Sequence, residues 1–358
     1  MWESLRGFLN GGYMKSILSG LMALLAMAWS AARADEPAIT LRLADSLPVG
    51  HIIHEAVTTP FIEAVEKRTN GKVKITHFPA EQLGKAKDLL RLTQSGVVDI
   101  GYIVPSYASD KMPLTAVAEL PGGFRNACQG TAAYWALTRD GNFLAEKEFA
   151  PNGIRPLITF ALPTYQILLS THKTVNNLAD IEGLKIRTAG GALDLMMRSI
   201  KAVPIRMSPP EIYESMSRGT LDGAMLGYQS AVSYDLIGLL KTGTLNEPLS
   251  SVVITYSIST AKWKTLPEPV QTVLAEEGER ITRESCAKFA HAEEQALARA
   301  RDKGIKLIHF SPDDEKTMDT VFEAVSQDWA AGLDGRGKPG SEALRVWRSA
   351  LQAAPADH

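Results

Sequence analysis

The sequence predicts an α/β protein with two lobes, joined by strands that cross between them and by one long bridging helix. A chain of 358 residues is long enough for two domains with separate cores after a leader is removed. Strand and helix patterns alternate through residues 39–104, and the alternation begins again near Leu162 after a break. The helical periodicity of residues 269–303 extends far enough to bridge two lobes.

The first lobe begins with two half-buried strands and a helix between them. Residues 39–44 (ITLRLA) and 71–77 (GKVKITH) alternate apolar and polar side chains, which is typical of strands with one buried face. The intervening helix has apolar residues at helical spacing and ends at Thr69-Asn70-Gly71. A second helix, residues 85–95, leads into the apolar strand 98–104, which favours a parallel sheet.

The second lobe repeats this alternation. Its predicted elements are a strand-like segment at 157–169, a strand at 184–188, a helix at 192–201, a helix opened by Pro209 that ends at Gly219, and a strand at 221–226. Residues 252–259 form one more strand. We assign residues 39–163 and 252–291 to lobe I, and residues 164–251 and 292–350 to lobe II. A cleft between such lobes is where small ligands usually bind.

Composition and motifs exclude several functions. The formal net charge is −2, and no basic cluster suggests nucleic-acid binding. The GxSxG elbow, the Walker A loop and the GxGxxG fingerprint do not occur, so the sequence shows no sign of an enzyme.

The N-terminus carries an export signal. Lys15 precedes an apolar run from Ile17 to Trp29, and Ala32-Arg33-Ala34 offers small residues at a cleavage position. The run is shorter than the roughly 20 residues that span a bilayer, so we expect a signal peptide, residues 1–34, and a periplasmic protein. Met14 is a second start position, which would make residues 1–13 an upstream extension.

The chain has two cysteines, Cys128 and Cys286. Both lie in helical patterns with apolar neighbours, so we expect two buried, unpaired thiols. An oxidising compartment would permit a disulfide between them, but the sequence does not give their geometry.

Arg187 is the candidate ligand-binding residue. It ends a short strand directly before Gly190-Gly191 and a helix. Its guanidinium matches two carboxylate oxygens, and free amides at the helix start add donors. From position alone, an exposed arginine in a surface salt bridge explains Arg187 equally well.

The histidines do not indicate a metal site. His51 and His54 lie three residues apart, which places them on one helix face, but no HExxH motif or matching carboxylate cluster accompanies them. We expect polar histidines at a helix start, with His51 facing the cleft. No metal ligand is predicted.

Several segments together resemble the solute-binding subunits of tripartite ATP-independent periplasmic (TRAP) transporters, the DctP-like family. They occur in family order across residues 39 to about 330, and they are Thr69-Asn70-Gly71-Lys72-Val73, Phe78-Pro79-Ala80-Glu81-Gln82-Leu83-Gly84, Gly96-Val97-Val98-Asp99, Leu120-Pro121, Leu184-Lys185-Ile186-Arg187, Glu211-Ile212-Tyr213 and Gly219-Thr220-Leu221-Asp222-Gly223. The resemblance implies a two-lobed periplasmic binding protein in which Arg187 binds a carboxylate. It also implies a two-part membrane permease as partner, no cofactor, no ATP hydrolysis and a monomer.

Departures from the family pattern concern the ligand. The segment 222–229 reads DGAMLGYQ where sugar-acid binders have further polar residues, and Pro163 to Ile167 lacks the second arginine of sialic-acid binders. We therefore expect a monocarboxylate with an apolar or aromatic body. The residues expected to contact that body are some of Tyr102, Tyr107, Tyr165, Leu226 and Tyr228. Gln166 and His51 are further candidate ligand-binding residues.

Two alternatives stay open from the sequence. One is a binding protein of the same shape that serves an ABC importer or a sensor kinase. The other is an exported enzyme that uses Arg187 only to position a carboxylate substrate. The second would need a nucleophile or an acid–base pair in the cleft, and the sequence shows neither.

Overall fold

The strands of the protein form two separate mixed sheets. In this computed structural model, residues 39–170, 173 and 175–355 are described, so the predicted signal peptide lies outside the described residues. The strands are β1 (Ile39–Ala44), β2 (Val73–Phe78), β3 (Ile100–Ile103), β4 (Ile154–Ala161), β5 (Gln166–Leu169), β6 (Lys185–Thr188), β7 (Val203–Arg206), β8 (Gly223–Leu226), β9 (Thr242–Thr244), β10 (Val253–Ser259) and β11 (Lys306–Ile308).

Helices cover both sheets and alternate with the strands. They are α1 (Thr59–Arg68), α2 (Leu89–Gln94), α3 (Ala127–Thr138), α4 (Ala192–Ser199), α5 (Ile212–Ser217), α6 (Tyr228–Ser233), α7 (Thr260–Trp263), α8 (Glu268–Asp302), α9 (Pro312–Asp334) and α10 (Gly340–Ala353). A π-helical turn, His54–Thr58, precedes α1, and a 3₁₀ turn, Pro105–Ala108, follows β3. No helix within these described ranges combines the length and the apolar character needed to cross a membrane.

The first sheet has the order β2-β1-β3-β10-β4 and belongs to lobe I. β1 and β3 are parallel, with Leu43 opposite Ile100. β10 runs antiparallel to both β3 and β4. The parallel pairing of β1 and β3 agrees with the parallel sheet that the sequence favours, but the sheet as a whole is mixed, because β10 enters it between β3 and β4 from the opposite direction after a long excursion through lobe II.

The second sheet has the order β11-β9-β5-β8-β6-β7. β6 is parallel to β7 and to β8, whereas β5 is antiparallel to β8 and to β9. The parallel centre places the carboxyl end of β6, with Arg187 and Thr188, at the edge where ligands bind in such sheets.

Two chain segments cross between the sheets. β4 and β5, predicted as one strand-like run at 157–169, belong to different sheets, and residues 162–165 connect them. Residues 245–252 return from β9 to β10. The two crossings hydrogen-bond each other, since Leu162 N donates to Val252 O (3.1 Å) and Tyr165 N donates to Ser250 O (2.8 Å). These two hydrogen-bonded crossing segments lie where the sequence predicts a hinge.

The long helix predicted at 269–303 is α8, Glu268–Asp302. At 1.5 Å per residue it is about 50 Å long. It packs against β4, α1 and α3 in lobe I and against α6 in lobe II, so it bridges both lobes. Gly278 permits the close approach to β4, because a Cβ atom there would lie 2.2 Å from the Leu157 carbonyl oxygen.

The two cysteines form a disulfide, which corrects the expectation of unpaired thiols. Cys128 lies at the start of α3 and Cys286 lies in the middle of α8, 158 residues later. Because these helices pack side by side, the two Cα atoms are 4.9 Å apart, within the range that a disulfide bridges. A contact between helices so distant in sequence leaves no local pattern, and the sequence therefore could not show it.

The C-terminal helices share a core with lobe I. α10 packs on α3 and α9, and Trp347, Trp329 and Leu344 join the cluster that contains Phe124 and Tyr134. α9 also contacts α4 of lobe II. The assignment of residues 292–350 to lobe II thus includes helices that pack mainly on lobe I; the lobe boundaries themselves stay a prediction.

Candidate functional site

Arg187 lies between the two lobes and is almost completely buried, with 1% of its surface exposed. β6 of lobe II carries the residue. Its Nε donates to the Met207 carbonyl oxygen (2.8 Å), and its Nη2 donates to the hydroxyl of Tyr107 (3.2 Å), which belongs to lobe I. Within the described part of the chain, no carboxylate pairs with this guanidinium. A buried cation without a counter-charge is costly, and the missing partner is the main chemical feature of the site.

Three further tyrosines belong to the cluster that contains Arg187. Tyr102 of β3 and Tyr165 of the crossing segment are buried, and Tyr234 follows α6. Tyr165 and Tyr234 interact electrostatically with Arg187, and Tyr102 interacts with both of these tyrosines. Burial raises the pKa of all three hydroxyls, so they are neutral at physiological pH. No described residue forms a hydrogen bond with these hydroxyls, which leaves them available to a ligand.

His51 contributes a hydrogen-bond donor. Its ring lies 5.0 Å from that of Tyr234, and the residue is 1% exposed. Burial lowers the pKa of His51 to about 3, so the ring is neutral. The amide of Ile53 donates to Nδ1 (3.2 Å), which requires the ring proton to lie on Nε2. Nε2 is buried without a partner among the described residues, so an acceptor on a ligand would satisfy it.

A pocket of about 440 Å³ opens to the surface beside this cluster. Tyr107 and Met207, the two hydrogen-bond partners of Arg187, both line it. The other lining residues come from both lobes and are mostly charged or polar: Lys85, Lys87, Arg206, Ser208 and Glu211. Lys85 pairs with Glu81, so Lys87 and Arg206 against Glu211 leave a small excess of positive charge, which favours the approach of an anion.

Contacts across the cleft hold the lobes together next to Arg187. Arg206 of β7 donates from Nη2 to the Ser106 carbonyl oxygen (3.0 Å) and to Ser109 Oγ (2.5 Å), both in lobe I. Gly190, at φ +100°, makes room for this arginine, since a Cβ there would lie 2.1 Å from Arg206 Nε. The structure therefore shows a closed arrangement, in which residues of both lobes meet at the site.

Comparison with known proteins identifies the family. The model of the family described as "Bacterial extracellular solute-binding protein, family 7", DctP, matches residues 43–332, which is most of the chain. The chain belongs to this family of solute-binding proteins. A relative from Comamonas testosteroni named "Outer membrane transporter protein TsaT" is 24% identical over 317 residues, which cover 88% of this chain and 92% of the relative.

Solved structures share the fold of this solute-binding protein. One is a marine metagenome TRAP solute-binding protein, described as specific for aromatic acid ligands and crystallised with 3-hydroxybenzoate. Its TM-score is 0.81 at 22% identity, and the alignment covers 89% of this chain and 99% of that protein's chain. Another is a TRAP periplasmic solute-binding protein from Bordetella bronchiseptica with bound mandelate, with a TM-score of 0.80 at 23% identity. Here the alignment covers 88% of this chain and 100% of that protein's chain. These likenesses confirm the two-lobed α/β fold predicted for the solute-binding protein.

The predicted site residues of this solute-binding protein separate into two groups. Tyr107 and Tyr165 interact directly with Arg187. Tyr102 and His51 join the same cluster through Tyr165 and Tyr234. The second group comprises Gln166, Leu226 and Tyr228. Gln166 and Tyr228 line a different pocket from the one beside Arg187, and Leu226 is buried in the interior of lobe II.

The polar atoms of this second group are occupied within the lobe. Gln166 Nε2 donates to the Glu247 carbonyl oxygen (2.7 Å), and Tyr228 Oη donates to the Thr244 carbonyl oxygen (2.9 Å). Leu226 is buried in β8 opposite Gln166. Neighbouring residues of an extended chain point to opposite faces, which explains why Tyr165 joins the site of the solute-binding protein and Gln166 does not.

Sequence reasoning missed Tyr234 and the cation Arg206. Tyr234 follows a short helix and carries no motif, and Arg206 ends an edge strand. The packing of α6 on α8 and the hydrogen bonds of Arg206 to Ser106 and Ser109 bring them to the cleft of the solute-binding protein.

Proposed function

We propose that the chain is exported to the periplasm with loss of residues 1–34, and that it binds a small monocarboxylate with an aromatic or apolar body. It acts as a monomer and delivers this ligand to a TRAP-type membrane permease. The family membership supports solute binding outside the cytoplasm. The permease partner follows from the resemblance to TRAP solute-binding subunits.

The unpaired buried guanidinium of Arg187 carries the proposal. A ligand carboxylate would provide its counter-charge and would form charge-assisted hydrogen bonds with the fork of the side chain. A neutral ligand would leave the cation unpaired in the closed state. A ligand with two or more carboxylates would bring a second charge among Tyr102, Tyr165 and Tyr234, where the neutral side chains offer no counter-ion.

The surrounding tyrosines support a ring or another flat apolar group as the ligand body. Aromatic rings pack favourably against one another in offset or edge-to-face geometry. The Nε2 proton of His51, which has no partner among the described residues, would satisfy a hydroxyl or oxo substituent on that body, and the tyrosine hydroxyls offer further donors. Two neighbours of the same fold have 3-hydroxybenzoate and mandelate as bound ligands, which are acids of this kind.

Closure of the lobes would couple binding to delivery. Arg187 contacts Tyr107 across the cleft, so the ligand and both lobes meet only in the closed state. A ligand that adds contacts to both lobes shifts the population toward that state by its differential affinity.

The test uses the chain expressed with its own leader and recovered from the periplasm. Its melting temperature would be measured with benzoate, 3-hydroxybenzoate, mandelate, succinate and glucuronate, followed by calorimetric titration of each acid that stabilises. We expect stabilisation by the aromatic monoacids, because a ligand that binds only the folded state raises its stability. N-terminal sequencing of the same material locates the cleavage after Ala34.

Arg187→Ala should abolish the response to every acid. Arg218→Ala is the matched control, because Arg218 lies in the same lobe, is exposed and pairs with Glu214. An unchanged response of Arg187→Ala, or no response of the parent protein to any acid, would refute the carboxylate clamp. Equal responses to succinate and benzoate would refute the monocarboxylate preference.

A further inference from the structure

Asp45, His54 and His77 meet in lobe I beside the cluster around Arg187, since Asp45 interacts electrostatically with His51 and Tyr234. Asp45 follows β1 directly, His77 belongs to the adjacent strand β2, and His54 begins the π-helical turn before α1. Asp45 Oδ2 lies 3.0 Å from His54 Nε2 and 2.6 Å from His77 Nε2. The three donor atoms all lie within 4.8 Å of one another.

We propose that these three residues form a zinc-binding site. Two imidazole nitrogens and one carboxylate oxygen are a ligand set that zinc accepts, whereas calcium and magnesium prefer oxygen ligands. Bonds of about 2.0–2.1 Å place tetrahedral ligand atoms roughly 3.3 Å apart. The two Asp45 separations, 3.0 Å to His54 and 2.6 Å to His77, are shorter than this, so the imidazole rings must move outward by several tenths of an ångström to make room for the ion.

Burial and access also suit an ion. The Asp45 side chain is fully buried, and its other oxygen, Oδ1, accepts a hydrogen bond from the Leu47 amide (2.9 Å), which fixes the direction of Oδ2. The His54 side chain is 10% exposed and that of His77 is 23% exposed. Solvent therefore reaches the cluster from the His77 side, where water would complete the coordination.

The site would fix a segment that serves the ligand cleft. Residues 45–54 form the connection between β1 and the π-helical turn, and His51 belongs to this segment. The amide of His54 donates to the carbonyl oxygen of His51 (2.8 Å). An ion bound to Asp45 and His54 would hold both ends of the segment and would thereby order His51.

The experiment uses the untagged, chelator-treated chain from the periplasm without any organic acid, so that its outcome is independent of the carboxylate proposal. Zinc chloride is titrated calorimetrically, the melting temperature is followed, and cobalt(II) is added as a spectroscopic probe. We expect one zinc ion per chain and a higher melting temperature with zinc. We also expect the visible absorption bands of a cobalt(II) ion bound in a coordination site of low symmetry.

His77→Gln is the main variant. The glutamine amide still donates a hydrogen bond to Asp45 but is a poor zinc ligand, so the fold is kept while zinc affinity falls more than about tenfold. His54→Gln gives the same result by the same reasoning and replaces His77→Gln if that variant fails to fold. His309→Gln, at an exposed histidine of lobe II, leaves zinc binding unchanged. Absence of zinc binding to the parent chain would overturn the proposal. Undiminished binding to both cluster variants would also overturn it and would leave the three residues as a hydrogen-bonded cluster.

Discussion

Breaking the disulfide between Cys128 and Cys286 should lower the free energy of unfolding by several kcal/mol. The bridge joins residues that are 158 positions apart, so it closes a large loop in the unfolded chain. In the chain-entropy description, a loop of this length restricts the unfolded state by about 5 kcal/mol at 25 °C. Native disulfides in secreted domains contribute about 2–5 kcal/mol when measured, so the expected loss lies near the upper part of that range.

The perturbation is the double variant Cys128→Ala, Cys286→Ala, compared with the parent chain from the periplasm. Urea unfolding followed by tryptophan fluorescence gives the free energy of unfolding. With a slope of about 3 kcal/mol per molar urea, the midpoint should fall by about 1–1.5 M. The reduced parent chain is the matched control, because it keeps both sulfur atoms and loses only the covalent bond; it should unfold near the midpoint of the double variant.

Two results would refute this reasoning. Two free thiols per chain, counted after denaturation without reductant, would show that the cysteines are unpaired. An unchanged urea midpoint in the double variant would show that the bridge does not restrict the unfolded chain. Binding of a carboxylate should persist in the double variant, because neither cysteine belongs to the cluster around Arg187.

Three further predictions concern the cleft. Glu119 accepts a hydrogen bond from Ser106, the lobe I residue whose carbonyl oxygen Arg206 contacts across the cleft. Burial raises the pKa of Glu119 to about 8, above its ordinary value of 4.5, so the folded state retains a proton that the unfolded state has lost. Stability is therefore full below pH 4.5 and declines as pH rises toward 8, and Glu119→Gln should flatten this decline in urea titrations. Arg206→Ala removes a contact of the closed state and should raise the Kd for the ligand about 5–10-fold, as measured by calorimetry. His51→Phe should weaken 3-hydroxybenzoate about tenfold through loss of one hydrogen bond but should leave benzoate nearly unchanged, and His51→Gln should preserve both affinities.

Each of these predictions has a contrary outcome. An equally steep decline of stability in Glu119→Gln would assign the pH dependence to other groups, of which Glu148 is the first to test, because burial raises its pKa to about 7. A Kd unchanged in Arg206→Ala would show that its contacts with lobe I do not favour closure. Equal losses for benzoate and 3-hydroxybenzoate in His51→Phe would indicate a packing effect instead of a hydrogen bond.

The sequence by itself determined the alternation of strands and helices, the long helix α8 and the position of Arg187 near the end of a short strand. These features depend on local periodicity, on glycine and proline at element ends, and on motifs that lie close together in the chain. Residues 39–44 were predicted as a strand with the bounds that the structure shows, and α8 differs from its prediction by one residue at each end.

Only the tertiary structure decided which of the predicted residues meet. The pairing of Cys128 with Cys286, the antiparallel insertion of β10 and the joining of Asp45 with His77 all depend on contacts between distant segments. The separation of Tyr165 from its neighbour Gln166 depends on which face of the chain turns toward the cleft. Local patterns are fixed by the steric preferences of a few neighbouring residues, whereas these contacts are fixed by how whole elements pack against one another, and a single sequence records no signal of that packing.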